Sequence, residues 1–324
     1  MIKVLPRYRK LNTFLRSLFG ERVYRVSLRG DFTCPNRDGR LGSGGCLFCN
    51  QESTEPLGFV PGQPLSQQLK QGAEYLGRRY GAKKFIAFFE NYTTTYKDVG
   101  TLERLYCEAL SYPGIVGLAV STRPDCLPDE VLNLLKRISR ETFLWVELGI
   151  QSANESSLEM MNRCHTVECS ERAIQALHEG NIAVSAHVIL DLPGESMQEV
   201  SKTAAFLADT GVQGIKIHNL HVIKNTRLAE MYNNGDYTPM ELTDYVELVI
   251  RFLEKIPPHV IIQRLSGEAP RRLTVAPEWS VNKLAVLNAI EDRFEQTDSW
   301  QGKGLGISRE ELMRPINLPG RPAD

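Results

Sequence analysis

Six times between Val23 and Leu220 a short apolar, β-branched run recurs, and an amphipathic stretch separates each from the next. The runs are Val23–Leu28, Lys83–Phe89, Ile115–Val120, Phe143–Ile150, Ile182–Leu190 and Gly214–Leu220. Helices are expected at Leu65–Tyr80, about 98–111, Pro128–Arg140, about 168–179 and about 197–209. A repeat of roughly 30 residues is too long for hairpins and matches βα units in a parallel sheet with right-handed crossovers. The fold class is therefore α/β, either a barrel or an open sheet. Both place their sites beyond the C-terminal ends of the strands, where this chain collects its polar and special residues.

The flanks read differently. Leu11, Phe14, Leu15, Leu18 and Phe19 form a helical apolar stripe ahead of Gly20. The stretch Pro56–Pro64 reads as loop. Past residue 225 the rhythm gives way to a helix at Glu241–Leu253, a short strand at Val260–Leu265 and a helix at Val281–Phe294. From Asp298 the chain is Gly- and Pro-rich and is expected to be a mobile tail. Three segments follow: a basic N-terminal segment 1–22, a core 23–225 and a mostly helical C-terminal extension 226–324.

Composition excludes several classes. With 42% hydrophobic and 24% charged residues the chain is neither disordered nor fibrous. No apolar run reaches the ~18–20 residues of a membrane helix, and the start lacks an export signal, so a cytoplasmic location is expected. The net charge of −1 gives no global pull toward nucleic acid. Residues 1–29, however, carry Lys3, Arg7, Arg9, Lys10, Arg16, Arg22, Arg25 and Arg29 against Glu21 alone. Arg264, Arg271 and Arg272 are a second basic group and candidate nucleic-acid contacts, with a solvated patch as the alternative.

Chemistry concentrates in the loop after the first strand. Cys34, Cys46 and Cys49 leave gaps of eleven and two residues, bridged by a segment containing Gly39, Gly42, Gly44 and Gly45. Seven cysteines with this spacing point to metal or redox work rather than disulfides. Three thiolates are one short of the four that close a structural zinc site or saturate an iron–sulfur cluster. A four-iron cluster would keep one iron open; a zinc site would recruit a fourth ligand such as His165 or another cysteine. Among the others, Cys107 reads as a small buried hydrophobe and Cys126 as a candidate substrate-side thiol. Cys164 and Cys169 read as structural, and His187 and His218 as barrel-lining histidines. Arg123 either pairs with Asp125 or grips a ligand carboxylate.

The cysteine loop, together with Thr122–Asp125 (TRPD), Glu147–Ser152 (ELGIQS), Asn162–His165 (NRCH) and His187–Glu195 (HVILDLPGE), resembles the radical S-adenosylmethionine superfamily. The resemblance covers roughly residues 20–265, and the eleven-and-two loop is similar to a bacterial branch related to the catalytic subunit of elongator. It implies a partial (β/α)6 TIM-like barrel and a [4Fe–4S] cluster on Cys34, Cys46 and Cys49. It also implies that S-adenosylmethionine on the open iron is cleaved to a 5′-deoxyadenosyl radical. Phe48 would pack beside the adenine, and Asn91 and Thr93 would take the place of the family's Gly-Gly-Glu at the methionine amino group. Arg123 would meet the carboxylate, and Glu147 and Gln151, at the end of the fourth strand, the ribose. Asp191 stands where the family commonly has glycine. The elongator likeness implies tRNA as substrate, at the wobble-uridine C5 side chain, without acetyl-coenzyme A chemistry. It further implies an electron donor such as flavodoxin or ferredoxin, and neither membrane nor DNA as partner. Similar phrases in oxygen-independent coproporphyrinogen dehydrogenase allow a small-molecule or peptide substrate instead. The non-enzyme alternative is a zinc-stabilised RNA-binding module.

Overall fold

The computed structural model describes residues 5–50, 52, 60, 62–316 and 318–319. Lys3, most of the loop expected at Pro56–Pro64 and the last five residues lie outside them. In chain order the strands are β1 (Val23–Leu28), β2 (Lys84–Phe89), β3 (Ile115–Thr122), β4 (Phe143–Gln151), β5 (Ala183–Leu190), β6 (Gly214–Asn219), β7 (Val222–Ile223), β8 (Ile261–Arg264) and β9 (Thr274–Ala276). The helices are α1 (Leu11–Phe19), α2 (Leu65–Tyr80), α3 (Val99–Leu110), α4 (Asp129–Glu141), α5 (Glu155–Met160), α6 (Val167–Glu179), α7 (Met197–Asp209), α8 (Arg227–Asn234), α9 (Leu242–Glu254) and α10 (Lys283–Gln296).

Seven strands form one parallel sheet in the order β1-β2-β3-β4-β5-β6-β8. The six expected βα strands are joined by a seventh, the short strand expected at Val260–Leu265 outside that series; as β8 it extends the sheet by pairing Gly214 with Ile261 and Ile215 with Ile262. The sheet curls into a half-barrel. Its two edge strands approach each other closely enough for Arg25 Nη2 on β1 to donate to Gln263 Oε1 on β8 at 2.7 Å.

Alternation along each strand divides the residues between two layers. The convex side meets the helices through residues such as Val26, Leu28, Leu118, Val146, Val184 and Ile215, packed on Leu69, Leu102, Leu134 and Leu207. The concave side begins with an apolar floor. There α1 inserts Leu11, Phe14 and Leu15 against Val23, Ile86, Phe143, Trp145 and Ile261. Phe14 and Phe143 both meet Trp145 edge-on, at 6.2 and 5.7 Å between ring centroids. A Cβ on Gly214 would fall 2.5 Å from the Trp145 ring, so the ring needs glycine there.

Above the floor the concave face turns polar. Glu147 sits among Arg25 (2.7 Å) and Lys216 (2.9 Å), one on each carboxylate oxygen. Both cations also lie over the Phe88 ring, at 4.7 and 4.9 Å. Burial opposes the Glu147 charge, but Lys216 and then Arg25 more than offset it and hold the carboxyl down at about 2.

The tail expected from Asp298 onward is instead packed as far as it is described. Gln301 is fully buried, donating to the carbonyls of Pro257 and Val260 and accepting from the Arg9 amide. The glycines there form tight left-handed turns, Gly302 at φ +86° and Gly306 at φ +72°. Much of the basic N-terminal segment is spent on this closure. Arg7 pairs with Asp298, Lys10 with Glu291, and Arg9 donates to the carbonyls of Pro258 and Glu311.

Candidate iron–sulfur and cofactor site

The eleven-residue gap is a folded unit. Asp38 and Ser43 bridge as a miniature hairpin, and the Gly45 amide returns to the Asn36 carbonyl at 2.9 Å. Gly39, Gly44 and Gly45 take φ values of +92°, +81° and +82°, which explains the glycines. The loop is then pinned to the barrel. Leu47 N donates to Met161 O at 3.0 Å, and Asn162 Nδ2 donates to Gly45 O at 2.9 Å.

Hydrogen-bond donors surround the thiols. Arg163 Nη1 lies 3.2 Å from Cys46 Sγ, Asn36 Nδ2 3.6 Å from the same sulfur, and Arg37 Nη1 3.3 Å from Cys49 Sγ. Burial, then the neighbouring Cys46, raises Cys49, and Arg37 counteracts this. Guanidinium groups beside sulfur favour the thiolate form that binds iron. Three thiols carried on one pinned loop, with guanidinium and amide donors beside two of them, are a donor set that fits a four-iron cluster.

Arg163 is buried and also donates to Gly149 O at 2.6 Å, joining the cluster loop to β4. Its phrase is visible in the sequence, but its role is not, because Arg163 and Cys46 are 117 residues apart. Arg163→Met, which keeps bulk and removes both bonds, is expected to lower cluster retention roughly 10- to 100-fold. Iron per protein after desalting measures this; wild-type retention would show the contact to be incidental.

At and just past the ends of β2, β3 and β4, and in the 163–165 segment beside the loop, several buried polar atoms have no protein partner: both amide atoms of Asn91, Thr93 Oγ1, Arg123 Nη1, Gln151 Oε1, Arg163 Nε and His165 Nε2. Native interiors satisfy nearly all such groups, so orphans gathered there point to a ligand. The backbone carrying Asn91 and Thr93 is fixed, with Thr93 N on Thr33 O and Thr94 bonded to Ser121 O through both its amide and its hydroxyl. Asn91 and Thr93 are thus held with their polar valences open. Phe48 is half-buried beside Leu47, Leu158 and Ile189. Gln151 ends β4 at a register shift, in a left-handed conformation at φ +72°.

Other expected residues are placed differently. Glu147 is not at the end of β4 but four residues before it, and its two oxygens are taken by Arg25 and Lys216; it forms part of the interior ion network. Arg123 grips Asp125 through two bonds of 2.8 Å and donates to Arg163 O, leaving only Nη1 without a partner. Cys126 is buried, and burial followed by Asp125 pushes its thiol up to about 12, so it is no thiolate at neutral pH. Cys107 is exposed rather than buried. Cys126, Cys164, Cys169 and His165 line one cleft of about 980 Å³ beside the cluster loop. Burial, then Arg163 and Arg123, lowers His165 to about 3. Arg264 lies inside the barrel wall, away from the exposed Arg271 and Arg272, and Arg272 pairs with Glu52. The three arginines therefore do not form one surface patch.

Comparison with known proteins agrees with this geometry. Residues 38–207 match the model described as Radical SAM superfamily, and residues 212–296 the Radical_SAM C-terminal domain. Uncharacterized protein YtqA of Bacillus subtilis is 39% identical over 305 residues, covering 94% of this chain and 95% of that one. The tRNA uridine(34) acetyltransferase of Methanocaldococcus jannaschii is 29% identical over 167 residues, covering 49% of this chain and 30% of its own. Among solved structures, Elp3 of Methanocaldococcus infernus with an N-terminal deletion superposes with a TM-score of 0.67 at 21% identity, over 86% of this chain and 64% of that one.

Proposed function

The chain belongs to the radical S-adenosylmethionine superfamily, whose cofactors are a [4Fe–4S] cluster and S-adenosylmethionine, and on that premise we propose that it is a radical enzyme modifying tRNA at the wobble-uridine C5 side chain. The carrying observation is three cysteines on a pinned loop, two of them beside guanidinium groups, facing a rim of unpartnered polar atoms. With cluster and cofactor bound, the chemistry supplied is one-electron reductive cleavage of the cofactor's C–S bond to methionine and a 5′-deoxyadenosyl radical.

We assign the residues' parts as the family resemblance implies, supported by their unpartnered polar atoms. Cys34, Cys46 and Cys49 ligate iron, and Arg163 and Arg37 stabilise the bound thiolates. Asn91 and Thr93 receive the cofactor's amino group, Arg123 Nη1 a carboxylate oxygen, Gln151 the ribose, and Phe48 the adenine face. The polar lumen beyond them is the reaction chamber. Electrons come from a small carrier such as flavodoxin or ferredoxin. The tRNA assignment draws support from the likeness to the uridine(34) acetyltransferase, carried here without acetyl transfer. Cells lacking this gene are expected to lose or truncate one modified uridine when their tRNA nucleosides are compared by mass spectrometry. An unchanged profile refutes tRNA and favours a small-molecule or peptide substrate.

A further inference from the structure

The barrel lumen holds one cation too many. Arg25 and Lys216 share Glu147, and Glu90 accepts from Ser27 Oγ at 2.6 Å. Arg264 makes no ion pair among the described residues; its one side-chain bond is Nε to Ile217 O at 3.4 Å. Burial opposes its charge, and Glu147 and Glu90 favour it without pairing with it. Since arginine does not shed its proton in a protein, three cations facing two carboxylates leave room for an added anion. Its surroundings are protein on nearly every side, yet Arg264 stays partly accessible, as do His187, His218 and Gln263.

Its direction has a structural cause. The pairing of β6 with β8 shifts register after Ile215↔Ile262, so Lys216 stands opposite Arg264. The irregularity inserts Gln263 and turns Arg264 to the side occupied by Lys216. The adjoining wall, on β5 and β6, is equally built. The rings of His187 and His218 are 5.5 Å apart, and His218 lies so close over Gly267 that a Cβ there would overlap it at 2.0 Å. His218 Nδ1 donates to the Asn219 carbonyl, so the neutral ring presents a bare Nε2 acceptor. Gln263 Nε2 and His187 Nε2 have no partner.

We propose that Arg264 is the anchor for an anionic group of the substrate, a carboxylate or a phosphate, with His218 accepting from a neighbouring O–H or N–H of the same molecule. This rests on the lumen being the reaction chamber. Arg264 on this account positions substrate and takes no part in the radical step.

The test uses full-length, anaerobically reconstituted protein, with phosphate or acetate titrated at constant ionic strength while thermal unfolding is followed. Wild type is expected to gain about 2–5 °C at anion concentrations well above Kd. Arg264→Gln is expected to give no shift and an unliganded Tm no lower than wild type, because an unpaired buried charge has gone. Arg271→Ala/Arg272→Ala should keep the full shift. The anion giving the larger wild-type shift identifies the group, and relief of the phosphate shift by an anticodon stem-loop assigns it to RNA. An equal shift in Arg264→Gln, no shift in wild type, or a marked fall in the unliganded Tm of Arg264→Gln overturns the proposal. Iron content measured on the same samples separates the two readings. Loss of iron in wild type with the anion shift intact removes the radical assignment and leaves the anion site.

Discussion

Replacing Cys46 with alanine is expected to abolish the brown colour of anaerobically reconstituted protein, its broad absorbance near ~400 nm and its formation of 5′-deoxyadenosine with dithionite and S-adenosylmethionine. Cys34→Ala and Cys49→Ala should do the same, because a four-iron cluster with a single open iron needs all three thiolates. Cys46 shows the effect most cleanly. It is buried, it receives Arg163 and Asn36, and its removal leaves both donors facing an empty position. The fold should survive, since the loop is held by the Leu47 amide donating to Met161 O and by Gly45 O accepting from the Asn162 side chain. Unchanged circular dichroism with iron below a tenth of wild type is the expected pair of readings. A colourless wild-type protein carrying one zinc would end the enzyme reading and restore the RNA-binding module.

Glu147→Gln is expected to cost roughly 3–5 kcal/mol, because buried Lys216 and half-buried Arg25 would both lose their carboxylate. For a chain of this size that is a fall of roughly 10 °C in Tm. The native pair also sets an acid limit. The Glu147 pKa is lowered from 4.5 to about 2 by Lys216 and Arg25 against the opposing effect of burial. Its stabilisation is therefore complete above the unfolded value and is lost as pH falls from about 4.5 through about 2. At about 1.4 kcal/mol per unit this contribution is roughly 3 kcal/mol. Denaturant unfolding at pH 7 and pH 3 should show wild type losing more stability to acid than Glu147→Gln. Equal acid sensitivity would mean the ion pair contributes nothing net. Glu147→Gln/Lys216→Met should recover part of the loss, since it removes one stranded charge.

Much of this architecture is legible in the chain because each strand carries its own evidence. Ile115–Val120 and Phe143–Ile150 are long enough for β-branched runs to stand out, and the observed ends differ by two residues or fewer. The helix at Glu155–Met160 and strands β7 and β9 escape such reading because they span too few residues to show a period. The cysteine loop is legible because its three ligands are close in sequence. Arg163 and Arg264 are not, for different reasons. The first acts across 117 residues. The second owes its direction to a register shift between two strands that nothing in the local sequence announces. The family resemblance puts Glu147 at the end of the fourth strand, at the ribose, but here the carboxylate serves the interior.

The floor built by α1 makes the half-barrel a blind vessel. Phe14, Trp145 and Phe143 close its base among the described residues, which leaves the rim bearing the cluster loop as the described way in. Damage to the base and damage to the rim should then separate experimentally. A smaller residue at Phe14 loosens the stopper and shows as lost stability with turnover per folded molecule preserved. A change at Asn91 or Thr93 leaves the vessel sound and alters what may enter and how it is held.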